Sequence, residues 1–291
     1  MRVTGNRLID LSSASTSKAQ SAVGTVSAQL TSGLRVTTPS DDPAAWLAAQ
    51  RTKLRQAMSQ GSGAAVATSR DRLGITDNSL ASLGDVVSQI RTLAVQGSSD
   101  TYNADNRAGL GAEVHGLFLA ALDSVNAQSN DGEYVLGGNQ SLAAPFDAAG
   151  VYHGDAGTRA VPGNGGLTTD VTLTGASLTA ANGVDVMPLL ARVATAMSAN
   201  DMPTLLAALP DLDTAVKQIS LTRSKGGAAM NALDQTTAAR GVLEQDMTAA
   251  IARYTEVDSV TAASDLAKAS QSLELSRAVT SHILQVLAPS P

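Results

Sequence analysis

Apolar residues recur at three- and four-residue steps along most of the chain, a spacing that predicts long helices. In residues 1 to about 36 the step runs through Ile9, Ser12, Thr16, Ala19, Val23, Val26, Leu30 and Gly33. Several of these positions are small or polar, so the helix buries too little apolar surface to stand alone and needs a partner. A second helix is predicted from 43 to about 97, with its best seam at Leu73, Thr76, Leu80, Leu83, Val87, Ile90 and Ala94. After the polar loop Gly97–Asn103, a third runs from about Asp105 to Gln128 with Leu110, Val114, Leu117, Ala121 and Val125 on one face. The short loop makes these two antiparallel neighbours.

Between about 130 and 185 the helical period is lost and Gly, Asn, Asp and Thr become dense. Glu133–Leu136, Val151–His153, Arg159–Val161 and Val171–Thr174 are strand candidates, punctuated by glycine turns that include Gly163-Asn164-Gly165-Gly166. Helix returns at about 187, with Pro188 and Pro203 as first-turn residues. From Asp211 the step passes through Leu212, Val216, Ile219, Arg223, Gly226, Met230, Leu233 and Thr237 toward Met247, Ile251 and Tyr254. The last segment repeats it at Leu266, Ala269, Leu273, Ser276, Thr280, Ile283 and Leu287, before Pro289 and Pro291. The expected fold is mainly α: a long antiparallel helical rod, with paired N- and C-terminal helices and a small inserted β module.

Between the first two helices lies a stop, a link and a start. Gly33 can end the first helix, and Pro39 pushes Thr38 out of helical geometry. Asp42 before Pro43 places a capping carboxylate ahead of a proline at the first helical position, and Ser40, Asp41 and Asp42 together favour the positive helix end.

Composition narrows the chemistry. With no cysteine among 291 residues, there is no thiolate metal site, cysteine nucleophile or disulfide framework. Aromatics make up 2% of the chain, so any core is built from Ala, Leu and Val, which suits closely approaching helices. The net charge is −6 and the 20 basic residues are scattered, which argues against nucleic-acid binding. No apolar run is long enough to span a membrane, and the polar N-terminal stretch does not resemble a cleaved secretory signal. His115, His153 and His282 lie in separate regions, without partners at metal-ligand spacing. Asp41 with Asp42, and Asp131 with Glu133, are the carboxylate pairs to weigh for acid–base work; capping and turn roles account for them. No catalytic set is visible and no cofactor is expected. Each terminal helix by itself makes a poor core, so packing against other subunits is the favoured reading of the terminal seams.

Two stretches carry a family resemblance. Leu30-Thr31-Ser32-Gly33-Leu34-Arg35-Val36, continued by Ser40-Asp41-Asp42-Pro43-Ala44-Ala45, resembles the helix-ending signature of the bacterial flagellin superfamily. Pro39-Ser40-Asp41-Asp42-Pro43, Gly132 to Gly138, Ala144-Pro145-Phe146-Asp147 and Tyr152-His153-Gly154-Asp155 are more similar to its hook–filament junction members than to flagellin. Ser264 to Leu287 resembles the superfamily's terminal helix, so the likeness covers essentially the whole chain. The tail Ala288–Pro291 and Trp46 depart from it.

The resemblance implies a structural, non-enzymatic subunit connecting the hook side to the flagellin filament by intersubunit helix packing. Residues 1–38 and 258–291 would be an inner-tube assembly domain, 39–130 and 187–257 a helical rod, and 131–186 an outward-facing β module. The implied assembly interface is Ile9, Val23, Val26, Leu30, Leu266, Leu273, Ile283 and Leu287; Gly33, Pro39, Asp41, Asp42 and Pro43 form the link and cap. Implied partners are further copies of the chain in a ring or helix, flagellin, a hook-side junction protein, and an export chaperone on the C-terminal helix. Neither nucleic acid nor membrane insertion is implied. The location would be the extracellular flagellum, reached unfolded through type III export without a cleaved signal, with weak terminal seams that order on assembly. The alternative in the same class is a minor flagellin. The alternative in a different class is a cytoplasmic helical signalling adaptor.

Overall fold

The structure is a computed structural model that describes residues 2–162 and 168–287, with side chains described for 7–162 and 168–285. Gly163–Gly166, the side chain of Leu287 and the tail Ala288–Pro291 lie outside the described residues. Six α-helices follow in order: α1 (Arg2–Ser32), α2 (Pro43–Gly97), α3 (Ala104–Val125), α4 (Val186–Ser198), α5 (Met202–Thr255) and α6 (Ser259–Leu287). Between α3 and α4 stand β1 (Ala160–Pro162), β2 (Thr168–Asp170) and two short 3-10 turns. The fold is mainly α with a small β insert. The chain divides into two compact units, one built from residues up to 58 together with those from 243 onward, the other from 59–242.

The central unit holds the core. Leu73, Leu80, Leu83, Val87, Ile90 and Ala94 of α2 are all essentially inaccessible, as are Val114, Ala121 and Val125 of α3. They meet Leu190, Val193 and Met197 of α4 and Leu205, Leu212 and Ile219 of α5 in one apolar cluster. Helices α2 and α5 run antiparallel, since Arg70, Asp77 and Arg91 pair with Asp234, Arg223 and Asp213, later partners falling earlier in α5. Asn103 caps α3 by accepting from the Asn106 N–H at 2.8 Å, satisfying a donor the helix leaves free. Gly111 lets α3 approach the end of α4: a Cβ there would stand 2.8 Å from the Ser198 nitrogen.

One expectation, the buried face of α5, shifts here. Helix α5 begins at Met202 and runs through Pro210, which the helix accommodates without ending. Its buried face carries Ala215, Thr222 and Thr236, whereas Arg223 and Thr237 are exposed. Thr222 and Thr236 hide their polarity by donating to the Gln218 and Ala232 carbonyls at 2.9 and 2.8 Å.

The insert is more turn than sheet. Its antiparallel ladder pairs Ala160–Pro162 with Thr168–Asp170. The Glu133–Leu136 and Val151–His153 candidates form only isolated bridges, Gln128 with Tyr134 and Phe146 with Tyr152. Side chains substitute for ladder bonds: the Asn126 amide clamps Phe146, donating to its carbonyl at 2.9 Å and accepting from its N–H at 3.0 Å. The half-buried Tyr152 ring packs at a tilt on Phe146, and burial pushes its phenol up to about 12.

Candidate assembly interface

In the terminal unit α1 packs along α6. Ile9, Thr16, Val23, Val26 and Leu30 of α1 are half-buried, and Ser12 and Ala19 are buried. On α6 the matching positions are Ala262, Leu266, Ala269, Leu273, Ser276, Thr280 and Ile283, all buried or half-buried. The two seams face one another within the chain. Near their outer end the contact is polar: the Ser12 and Thr280 hydroxyls are hydrogen-bonded, and Thr16 lies 3.1 Å from Thr280.

This pairing leaves the unit short of a core. Its buried apolar side chains, among the described residues, are Ala19, Val36, Ala45, Ala49, Met247 and Ala262. None of the large, fully buried side chains belongs to it. Leu11 and Val260 are instead 70% and 78% exposed, and Leu8, Leu275, Val279 and Leu284 each about half or more exposed. Burying a Leu or Val side chain contributes about 1.5–3 kcal/mol, so covering these side chains would stabilise a contact with another chain.

The links between helices are zipped together. Gly33 ends α1 with φ +70°, a conformation that disfavours other residues. Its carbonyl accepts from the Val257 N–H at 3.0 Å, while the Arg35 N–H donates to the Thr255 carbonyl at 2.7 Å. The Arg35 guanidinium donates to Asp42 at 3.1 Å and to the Tyr254 carbonyl at 3.2 Å. Asp42 caps α2 by accepting from the Ala45 N–H at 3.0 Å, with Pro43 as the first helical residue. Asp41 closes the preceding turn around Pro39, accepting from the Thr38 and Thr37 N–H groups at 2.8 and 2.9 Å. These backbone donors hold both carboxyls below the usual range; for Asp42 the neighbouring Arg35 adds to the Ala45 N–H. Neither carboxylate is arranged for acid–base chemistry.

The insert is anchored by a charge cluster that spacing did not reveal. Glu133 accepts from Arg72 and from Arg159, each at 2.8 Å. Arg72 also donates to the Tyr134 carbonyl at 2.7 Å, and Arg159 to Ser141 at 3.1 Å. Arg159 first, with Ser141 and Arg72 behind it, holds Glu133 below the ordinary carboxylate range. A cleft of about 240 Å³ beside it is lined by Asp71, Asp131 and Thr172. Among the described residues no cluster of His, Asp and Glu is placed to hold a metal, and no helix is long and apolar enough to cross a membrane. His153 pairs with Asp147 at 2.9 Å, His115 lies 6.2 Å from the Phe118 ring, and His282 is exposed.

Residues 9–141 match the family model for the bacterial flagellin N-terminal helical region. That stretch takes in most of α1, all of α2 and α3 and the first turns of the insert. Over 129 residues the chain is 33% identical to flagellar hook-associated protein 3 of Salmonella typhimurium, covering 43% of this chain and 40% of that protein. Over 131 residues it is 30% identical to the Escherichia coli protein of the same name, covering 44% and 41%. The matches thus span about 40% of the length of these curated relatives.

A likeness of fold extends over a larger part of the chain. A putative flagellar hook-associated protein from Vibrio parahaemolyticus superposes with a TM-score of 0.67 at 18% identity, over 74% of this chain and 100% of that one. Bacillus cereus FlgL gives 0.59 at 19% identity, over 70% and 99%. The flagellar junction protein FlgL of Legionella pneumophila gives 0.55 at 15% identity, over 72% and 100%. At these identities the structures show the shared fold. The sequence resemblance and the expected mainly-α architecture both stand.

Proposed function

We propose that this chain is a structural subunit of the bacterial flagellum that joins the hook side to the flagellin filament by helix packing between subunits. The observation that carries the reading is the terminal unit's missing core: paired helices held by alanines and hydroxyls, with leucines and valines left facing outward. Neighbouring subunits would cover that surface. The matched relatives named flagellar hook-associated protein 3 favour the junction over the filament proper.

On this reading residues 1–38 and 258–291 make the assembly contacts, 39–130 and 187–257 the supporting rod, and 131–186 an outward module. Ile9, Val23, Val26, Leu30, Leu266, Leu273 and Ile283 act by holding α1 on α6, and Leu287 continues their spacing. Partners are other copies of the chain, flagellin, a hook-side subunit and an export chaperone. The site of action is outside the cell, after export without a cleaved signal.

The test is deletion with complementation. Loss of the chain should release flagellin monomers into the medium and leave hooks without filaments, and the native chain should reverse this. Leu273→Asp should fail to reverse it while leaving the central unit folded. Filaments of merely altered length would identify a minor flagellin, and a cytoplasmic protein absent from purified hook–filament particles would overturn the reading.

A further inference from the structure

The beginning of α2 presents an apolar stripe with no partner. Leu47, Leu54 and Met58 are 51%, 63% and 68% exposed, and all three fall on the face opposite Ala45 and Ala49, the buried positions of that turn. The stripe has one sign of charge. Between Pro43 and Ser69 the only charged residues are Arg51, Lys53 and Arg55; all three are exposed and, among the described residues, form no ion pair. A solvated helix face ordinarily mixes both signs, so an apolar stripe edged only by bases points to an acidic, apolar partner.

The same unit carries an apolar surface with an unpaired acid. Leu243 and Tyr254 on α5 are exposed, and Asp246 between them is exposed and unpaired among the described residues; Arg253 beside Tyr254 is exposed too, so the charge match rests on Asp246. Leu47 to Met58 and Leu243 to Tyr254 are both separated by eleven positions, three helical turns or about 16 Å. Laid antiparallel, Leu47 meets Tyr254, Met58 meets Leu243, and Arg55 falls opposite Asp246.

Within one chain this register is closed off, because α2 already turns its other face to α5: Gln56 donates to Thr248 at 3.2 Å. We propose that the Leu47–Met58 face of one copy docks on the Leu243–Tyr254 face of a second copy, with Arg55 against Asp246. The inference deepens the assembly reading and rests on it. The two patches differ, so the contact is heterologous and propagates from copy to copy rather than closing a two-fold dimer. A contact of three large side chains on one side and two on the other is well below the roughly 1,200 Å² of a stable pair, so it acts alongside the terminal helices.

Thiol trapping in the full chain tests this, since the protein has no cysteine. Met58→Cys and Leu243→Cys are made in separate proteins at exposed positions, then mixed and oxidised; each chain has one thiol, so any disulfide joins two copies. The mixture should give at least fivefold more dimer than either protein by itself. Arg55→Glu in the first protein should abolish that excess, and Asp246→Arg in the second should restore it. Equal trapping of Met58→Cys with itself, no dimer in the mixture, or indifference to Arg55→Glu would each overturn the proposal. So would trapping of Met58→Cys in assembled flagella only to a chain of another mass. If trapping fails while Leu273→Asp still abolishes complementation, this contact falls and the junction reading stands.

Discussion

Removing Glu133 should loosen the central unit by an amount its surroundings fix. The Arg72 side chain is 11% exposed and its Nε has no hydrogen-bond partner; Glu133 neutralises it and also takes Arg159 on the same oxygen. In Glu133→Ala two guanidinium groups would share a site without a counter-charge. Breaking a buried pair costs about 3–5 kcal/mol, and since Glu133 is 29% and Arg159 42% exposed, solvent screening brings the expectation to about 2–3 kcal/mol. With a urea dependence near 2 kcal/mol per molar, the unfolding midpoint of the central unit should fall by about 1 M. Glu133→Gln keeps the shape and one acceptor and should cost roughly half as much. Acid titration checks the cause. A carboxylate depressed below its ordinary value of 4.5 contributes stability that is present above that value and lost as pH falls through the folded value. The native unit should therefore lose stability over that acid window, and Glu133→Ala should lose less. A midpoint shift corresponding to under about 0.5 kcal/mol, or an unchanged acid dependence, would refute the anchoring argument.

Other substitutions probe the remaining contacts. Gly111→Ala should destabilise the central unit by about 1–3 kcal/mol in urea titration, because its Cβ meets the Ser198 backbone as well as the hydroxyl, and the backbone cannot turn away. Leu190→Ala, in the closed core, should cost about 2–5 kcal/mol in that unit. Leu273→Ala, half-buried on α6, should leave the same transition unmoved and speed amide exchange only in α1 and α6. Asp41 and Asp42 titrate below their ordinary 3.8, so the joint they hold is intact above that value and opens as pH falls through their folded values. Amide exchange at Thr37, Thr38 and Ala45 should report this, and Asp41→Asn should weaken the protection at neutral pH.

The helices were legible because their cores are built from residues whose spacing survives in sequence. Leu80, Leu83, Val87 and Ile90 announce the buried face of α2, and the weaker step from Ile9 to Leu30 marks the face α1 turns to α6. The α5 face slipped where Thr222 and Thr236 are buried: a hydroxyl bonded to its own helix packs like an apolar group yet reads as polar. Pro210, inside α5, is tolerated for a physical reason. A proline removes one N–H and crowds one carbonyl, a local cost that tertiary packing of Leu205, Ala208 and Leu212 on either side can outweigh. The insert was legible only as a change of texture. Its order rests on side chains that bond distant backbone, such as Asn126 to Phe146, and on the Glu133 cluster, whose partners are 61 and 26 positions away. No short-range spacing encodes such pairs. At the candidate interface the seams and the pairing of the terminal helices were visible, but not which side chains the pairing leaves outward, Leu11, Leu54 and Leu275 among them; that follows only from the chain's path through the Gly33 and Val257 links.

If the terminal unit lacks a core until neighbours supply one, hydrogen exchange will report it. In the free chain, amides of α1 and α6 should exchange far faster than those of α3, α4 and the Leu80–Ala94 stretch of α2. In purified hook–filament particles the same terminal amides should become as protected as the core. Terminal helices already protected to core level in the free chain, or unchanged on assembly, would contradict it.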